Sequence, residues 1–381
     1  MPKDHVIDVL HLTPIMETYG LERGVLPLVK YMNSLGERSV VASSGGMLIN
    51  ALHEMNVPNI ILKNNNIFFS KIWNDSNKIS KAIIDHKINL IHSHTRSYSW
   101  SSHLYRKRQN SKIPIITTLH SIYTNQSWLQ KIYNSIMYKS DKMIALSHFA
   151  KQHAISEYAA DENKILVIPR GVDYKYFDKN TIDEIRIEKL KLRYAVPKST
   201  PIILLPSKFT RWKGHLLLLE ALKLIKDLNF YCIIVGHLGN DPEFLNIVAK
   251  RIKENRMQSK VQIYGLSDDV ATLYAMSDII LSTSIEPEAF PKSVIEGQSM
   301  EKIVIGSNIG AVPELIKDNV NGFCFEANKA ESLAEKLRTA IGILNSEKSK
   351  NIGLNARQFV IENFSLEEMH CKVVNLYRSL V

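Results

Sequence analysis

Cysteine is nearly absent. There are three in 381 residues, Cys232, Cys324 and Cys371, and no C-x-x-C pair. That count excludes a disulfide framework and a cysteine-based zinc site. Long apolar runs are missing too. Runs such as Ile202-Ile203-Leu204-Leu205 have strand length, well short of the roughly 18 residues that a membrane helix needs. The N-terminus, MPKDHVIDVLHL, becomes charged at once and lacks the apolar stretch of a signal peptide, so the chain is expected to stay in the cytoplasm. No G-x-S-x-G, Walker A or G-x-G-x-x-G is present, which argues against hydrolase, P-loop and Rossmann dehydrogenase chemistry. There is no fixed-period repeat and no low-complexity tail.

What is present is an ordinary globular composition, 45% apolar and 23% charged. At roughly 150 residues per domain the length predicts two or three domains. The net charge is +10, and its placement matters more than its size. Between Lys63 and Lys142 thirteen Lys or Arg face only Asp75, Asp85 and Asp141, so this segment alone carries the whole excess. A basic field confined to one region points to an anionic partner there, such as a membrane surface or a phosphorylated glycolipid. The plainer reading is a lysine-rich solvated face. A nucleic-acid binder is the rival from another class, given a pI near 9.2. Against it, the region has no aromatic-rich platform and no zinc-finger spacing.

Short apolar runs alternate with helix-length amphipathic stretches. Strands are expected near Val6–Leu12, Ser39–Ala42, Ile60–Leu62, Leu90–His92, Ile115–Thr118, Met143–Leu146 and Ile165–Ile168. The rhythm breaks over residues 173–200, which are charged and without a strand. It restarts with strands at Ile202–Leu205, Tyr231–Val235, Val261–Tyr264, Asp278–Ser282 and Ile303–Gly306, and three helical segments close the chain. This is the βαβ pattern of parallel sheets. The fold class is α/β, with two doubly wound Rossmann-like domains facing across a cleft. The expected bounds are 1–175 and 176–365, with a last helix at 366–381 that packs back on the first domain. Ligands of such sheets bind beyond the C-terminal strand ends, at the switch point in strand order.

Two motifs lie at such positions. Ser207-Lys208-Phe209-Thr210-Arg211-Trp212-Lys213-Gly214 follows a strand and ends at a glycine that opens a helix. Free backbone N–H groups, a positive dipole end and the cations Lys208, Arg211 and Lys213 suit a phosphate or diphosphate. A solvated basic turn is the alternative. The second motif is Glu288-Ala289-Phe290-Pro291-Lys292-Ser293-Val294-Ile295-Glu296, in which a loop acid precedes a helix acid by just over two turns. Two carboxylates aimed into one cleft suit a polyhydroxylated ligand such as a sugar or ribose. Bare spacing is also compatible with two surface acids of no joint role.

Taken together these motifs resemble the retaining GT-B glycosyltransferases of family 4. SKFTRWKG is followed about eighty residues later by EPEAFPKSVIEGQSM and then by IVIGSNIGAVPELIKDNVNG, in the family's order of Gly-Arg-x4-Lys-Gly, Glu-x7-Glu and a glycine-containing loop ending in Glu. Tyr19-Gly20-Leu21-Glu22-Arg23, His92-Ser93-His94, Thr118-Leu119-His120, Ser147 and Pro169-Arg170-Gly171-Val172-Asp173 extend the likeness over essentially the whole chain.

The resemblance implies transfer of a sugar from a nucleotide-diphosphate sugar to a glycan or glycolipid acceptor, with retention, in cell-envelope polysaccharide or lipopolysaccharide synthesis. Lys208 and Lys213 would hold the donor diphosphate, Glu296 the ribose hydroxyls and Glu288 the sugar hydroxyls. His120 would sit near the reacting carbon. Backbone at Gly265, Leu266 and Ser267 would face the base. Gly20 and Arg23 would serve a phosphate or acceptor loop. The N-terminal domain would take the acceptor, peripherally on the inner face of the membrane, and the C-terminal domain the donor.

Two departures bear on donor preference. Lys208 stands where the family has arginine, losing the bidentate fork, and Pro291 replaces a flexible glycine. No Asp-x-Asp occurs, and a lysine pair can neutralise the diphosphate, so no metal is expected. His92 and His94 face the same way on a strand end, but no third ligand is evident beside them, and they read as buried or acceptor-side histidines. A sugar-nucleotide epimerase and a glycogen-type synthase are the rivals within the fold.

Overall fold

The computed structural model describes residues 6–17, 22–62, 68–124, 127–239 and 241–381. The chain divides into two compact units, Met1–Pro169 with Met369–Val381, and Arg170–Glu368. In the first, β1 (Asp8–Leu12), α1 (Glu22–Ser34), β2 (Arg38–Ser43), α2 (Ile49–Glu54), β3 (Asn59–Ile61), α3 (Phe68–His86) and β4 (Leu90–Ser93) run in sequence. They are followed by α4 (Arg96–Gln109), β5 (Ile115–Leu119), α5 (Trp128–Ser135), β6 (Lys142–Ala145), α6 (His148–Tyr158) and β7 (Ile165–Val167). The strands form one parallel sheet in the order β3-β2-β1-β4-β5-β6-β7.

The second unit holds α7 (Glu184–Arg193), β8 (Ile202–Pro206), α8 (His215–Leu224), β9 (Tyr231–Val235), α9 (Pro242–Glu254), β10 (Val261–Tyr264), α10 (Val270–Met276) and β11 (Ile279–Ser282). Then come α11 (Lys292–Ser299), β12 (Ile303–Ser307), α12 (Val312–Leu315), β13 (Phe323–Phe325), α13 (Ala330–Ile343) and α14 (Glu347–Asn363). The closing helix α15 (Leu366–Arg378) begins in this unit and ends in the first. The second sheet is also parallel, in the order β10-β9-β8-β11-β12-β13.

In each sheet the order reverses once, between β1 and β4 and between β8 and β11. Right-handed crossovers then fall on both faces, and both faces are buried. Successive residues of one strand serve opposite cores. Val40 and Ala42 join Leu10, Leu12, Ile79 and Ile83, whereas Val41 joins Val25, Val29 and Leu52. Each such fully buried aliphatic side chain contributes about 1.5–3 kcal/mol, which is why apolar runs with no polar alternation become these strands. In the second unit Ile203, Leu205, Cys232 and Ile234 pack on Leu218, Leu222, Val248 and Leu337. Buried polar residues stand beside both reversals: His11, His92 and His94 in the first unit, Ser282, Thr283 and Ser284 in the second.

Candidate active site

The donor-side candidates meet at the reversal in the second sheet. Beyond β8 the chain stays extended for a few residues, since Ser207 N–H donates to Val235 O and Phe209 N–H to His237 O. Phe209 is buried, which turns Lys208 outward to solvent. A short 3-10 turn over Arg211–Lys213 then leads to Gly214, whose φ of +72° opens α8. Only glycine fits there. A Cβ would lie 1.9 Å from Thr283 O. That close approach lets two loops lock together. Thr283 Oγ1 donates to Lys213 O at 2.9 Å and Ile285 N–H to Trp212 O at 2.8 Å. The loop after β8 is therefore tied to the loop after β11.

The lock brings Lys213 Nζ to 2.6 Å from Glu288 Oε2. The indole of Trp212 flanks the ammonium at 4.3 Å from its ring centroid. Ser284 Oγ donates to the other oxygen of Glu288. A third loop closes the arrangement: Ala311 N–H donates to Glu288 O, and Gly310, at φ +62°, passes so near that a Cβ would lie 2.6 Å from Glu288 N. Three strand-end loops, after β8, β11 and β12, thus fix one cation and one carboxylate.

Glu296 stands apart with its own partners. It lies on α11 with Oε2 accepting from the Tyr274 hydroxyl at 2.8 Å and Lys292 Nζ 3.6 Å from Oε1. Tyr274 is buried on α10, a helix capped by the Asp269 side chain, which accepts from Thr272 N–H. The two carboxylates, expected to be aimed into one cleft, each have their own partners within the second unit. Arg211 does not join the other cations. It pairs with Asp241 at 3.4 Å and lies over Phe244. Lys208 makes no ion pair among the described residues. Gly265 and Leu266 follow the edge strand β10; Leu266 is exposed, and nothing lies within 4 Å of a Cβ built on Gly265. His215, just inside α8, is buried against Phe209 and shares a hydrogen bond with Ser207 Oγ. Burial pulls its pKa down to about 4.

In the first unit His120 follows β5 directly and its Nε2 lies 3.0 Å from His94 Nδ1. His92 is held on both sides, by the Tyr377 hydroxyl at 2.5 Å from Nδ1 and by Thr118 Oγ1 at 2.7 Å from Nε2. Tyr377 belongs to α15, which is further fixed by Arg378 pairing with Glu37. A third imidazole, not evident in the sequence, accompanies His92 and His94: His11 of β1 is the registered neighbour of His92 on β4. Burial drives the His11 pKa down to about 3, and burial followed by the neighbouring imidazoles depresses that of His92. Gly20 lies outside the described residues. Arg23 lies in α1, with its side chain outside them.

The basic segment is partly self-engaged. Lys71 pairs with Asp75, Arg106 with Asp141, Arg96 bonds Asn134 and Arg108 bonds Asn77 while covering Trp73. Beside these cations large apolar side chains face solvent, Phe69 and Trp73 on α3 and Trp128, Leu129 and Ile132 on α5. No helix is long and apolar enough to cross a membrane among the described residues.

His11, Tyr274, Ser284, Thr283 and Lys292 were not singled out from the sequence. Only His11 left a signal there, a polar residue in the otherwise apolar strand Val9-Leu10-His11-Leu12.

Comparison with known proteins agrees with this layout. The family described as Glycosyltransferase Family 4 matches residues 18–176, and that described as Glycosyl transferases group 1 matches residues 186–359. A glycosyltransferase from Rickettsia africae ESF-5 superposes with a TM-score of 0.89 at 40% identity, over 98% of both chains. An Anabaena protein solved in complex with UDP and glucose superposes with a TM-score of 0.86 at 20% identity, over 98% of this chain and 100% of that one. Among sequence relatives, the N-acetyl-alpha-D-glucosaminyl L-malate synthase of Bacillus anthracis is 24% identical over 314 residues, 80% of this chain and 77% of that one.

Proposed function

The chain belongs to the family 4, group 1 glycosyltransferases of GT-B fold, and from that membership we propose that it transfers a sugar from a nucleotide-diphosphate sugar to a glycan or glycolipid acceptor, with retention, in cell-envelope polysaccharide or lipopolysaccharide synthesis. The observation that carries the reading is the Lys213–Glu288 pair at 2.6 Å, held by three loops at the sheet reversal. A cation fixed beside a carboxylate offers one group for a diphosphate and one for sugar hydroxyls. As the sugar–phosphate bond breaks, negative charge grows on the leaving diphosphate. Lys213, with Lys208 swinging in from solvent, neutralises it in place of a metal. Glu296 accepts from the ribose hydroxyls with its rotamer set by Tyr274. His120 hydrogen-bonds the transferring sugar. The acceptor's proton passes to the leaving phosphate on the same face of the sugar; the group held 3.0 Å from His120 is the imidazole of His94 rather than a carboxylate nucleophile.

The first unit is assigned the acceptor. Its cations on α3, α4 and α5, interleaved with solvent-facing Phe69, Trp73, Trp128 and Leu129, support a lipid-linked anionic acceptor met at an anionic membrane surface. Flotation with anionic and neutral vesicles tests this part, and equal binding to both ends it.

The transfer reading is tested with a panel of UDP-, GDP- and ADP-sugars. The expected result is turnover of one of them by the wild type, lost in Glu288→Ala and Lys213→Ala, with product NMR reporting the donor's anomeric configuration. Thermal stabilisation by oligonucleotides and by no sugar nucleotide overturns it.

A further inference from the structure

We propose that His11, His92 and His94 form a site for one divalent transition-metal ion of the zinc class, within the first unit. The three imidazoles come from the two strands flanking the sheet reversal. His11 on β1 and His92 on β4 are registered partners, so their side chains leave the sheet on the same face. His94 lies two residues beyond His92 and returns to that face. One nitrogen from each of the three lies within 4.8 Å of the others. Ring centroids are 4.0 Å apart for His92 and His94, 5.8 Å for His11 and His92, and 6.1 Å for His11 and His94. Tetrahedral zinc with bonds of about 2.0–2.1 Å needs nitrogens roughly 3.4 Å apart. From separations of up to 4.8 Å, the nitrogens have to close by at most about 1.4 Å to reach that spacing.

His11 is the observation that asks for a ligand. It is fully buried, and neither of its ring nitrogens has a hydrogen-bond partner among the described residues. A buried polar group left unsatisfied costs about 1–3 kcal/mol. Leucine occupies the positions on either side, and a third leucine at 11 would remove the cost. An imidazole kept there with its lone pair unused is what a metal ligand looks like before the metal arrives.

The other two rings carry the outer contacts that ligating histidines have. His94 Nδ1 is engaged with His120, which leaves Nε2 as the nitrogen for the ion. His92 has hydroxyls at both nitrogens, Tyr377 and Thr118. An ion takes the lone pair that now accepts one hydroxyl proton, and the other hydroxyl then fixes the ring. Three imidazoles are a ligand set that suits zinc or cobalt.

The test uses the full chain without a polyhistidine tag, stripped with chelator and dialysed. Cobalt(II) is added as the probe, followed by zinc, with metal content read by mass spectrometry and coordination by the visible absorption of cobalt. The expected result is one ion per chain, a tetrahedral cobalt spectrum displaced by zinc, and binding weakened more than about tenfold in His11→Leu and His94→Ala. Wild-type protein that takes up no stoichiometric ion overturns the proposal without any variant, so a misfolded variant does not shelter it. So does unchanged affinity in His11→Leu that circular dichroism shows folded. Sugar-nucleotide turnover measured on the stripped protein is independent of this outcome and keeps the two readings separable.

Discussion

Replacing Tyr274 by phenylalanine isolates one oxygen atom at the donor side. The ring stays packed, edge-on to Phe177 at 5.6 Å between centroids, so little volume is lost. What disappears is the hydroxyl that donates to Glu296 Oε2 at 2.8 Å. Glu296 is itself 8% exposed, and among the described residues its other oxygen has the longer Lys292 contact at 3.6 Å. A hydrogen bond to a charged group contributes about 1.5–3 kcal/mol, so Tyr274→Phe should lower the stability of the second unit by about 2 kcal/mol. The nucleotide should feel a smaller effect of a different kind. With the hydroxyl gone, the carboxylate must be ordered when the ribose binds, at about 0.5–1.5 kcal/mol, a roughly two- to tenfold loss of affinity. Titration calorimetry on wild type, Tyr274→Phe, Glu296→Gln and the double variant, with the nucleoside diphosphate of whichever donor turns over, reads this directly. The two changes should be non-additive, because the tyrosine acts only through the carboxylate. Additive losses, or unchanged affinity in Tyr274→Phe beside reduced stability, would refute the positioning role and leave Tyr274 as packing.

Gly214→Ala should cost at least about 1 kcal/mol from its left-handed backbone alone and abolish most turnover by forcing the Lys213 turn off Thr283, whereas Gly265→Ala, which meets open space, should melt like wild type. Lys213→Ala should reduce donor turnover on the order of 100-fold while Arg211→Ala, a residue turned to Asp241, should leave it near wild type in the same assay. His215 supplies a pH signature. Its pKa is about 4 folded against 6.5 unfolded, so its contribution is present above pH 6.5 and is lost as pH falls toward 4. By pH 5 the urea stability of wild type should have dropped by about 2 kcal/mol more than that of His215→Leu, and parallel pH curves would contradict the assignment.

Much of the architecture was legible because parallel strands buried on both faces read as plain apolar runs. Tyr231–Val235 and Val261–Tyr264 match the structure to the residue. The misses have a shared cause. Phe323–Phe325 is only three residues long, paired to β12 at the sheet edge, and too short to show a period. Helix α3 runs from Phe68, but its first turns carry Phe69 and Trp73 toward solvent and so show no amphipathic pattern in the sequence. In both cases the tertiary neighbour, not the local pattern, decides the element.

The site was legible only where chemistry is written in the loops themselves. Lys213, Glu288 and Glu296 lie in contiguous motifs, and the order of those motifs along the chain, more than their spacing, made them candidates. Arg211 shows the limit of that reasoning: three cations in six residues look like one patch, but an acid 30 positions away, Asp241, draws one off. The residues that hold the site are farther still from anything a motif can record. Tyr274 reaches Glu296 across 22 positions, Thr283 reaches Lys213 across 70, and Tyr377 reaches His92 across 285. Such partners are brought together by strand order. Once β8 is placed beside β11, and β1 beside β4, the loops that must touch follow, and with them His11 beside His92. A polar residue inside an apolar strand at a sheet reversal is therefore worth marking in a sequence, since the topology alone delivers it to the place where ligands bind.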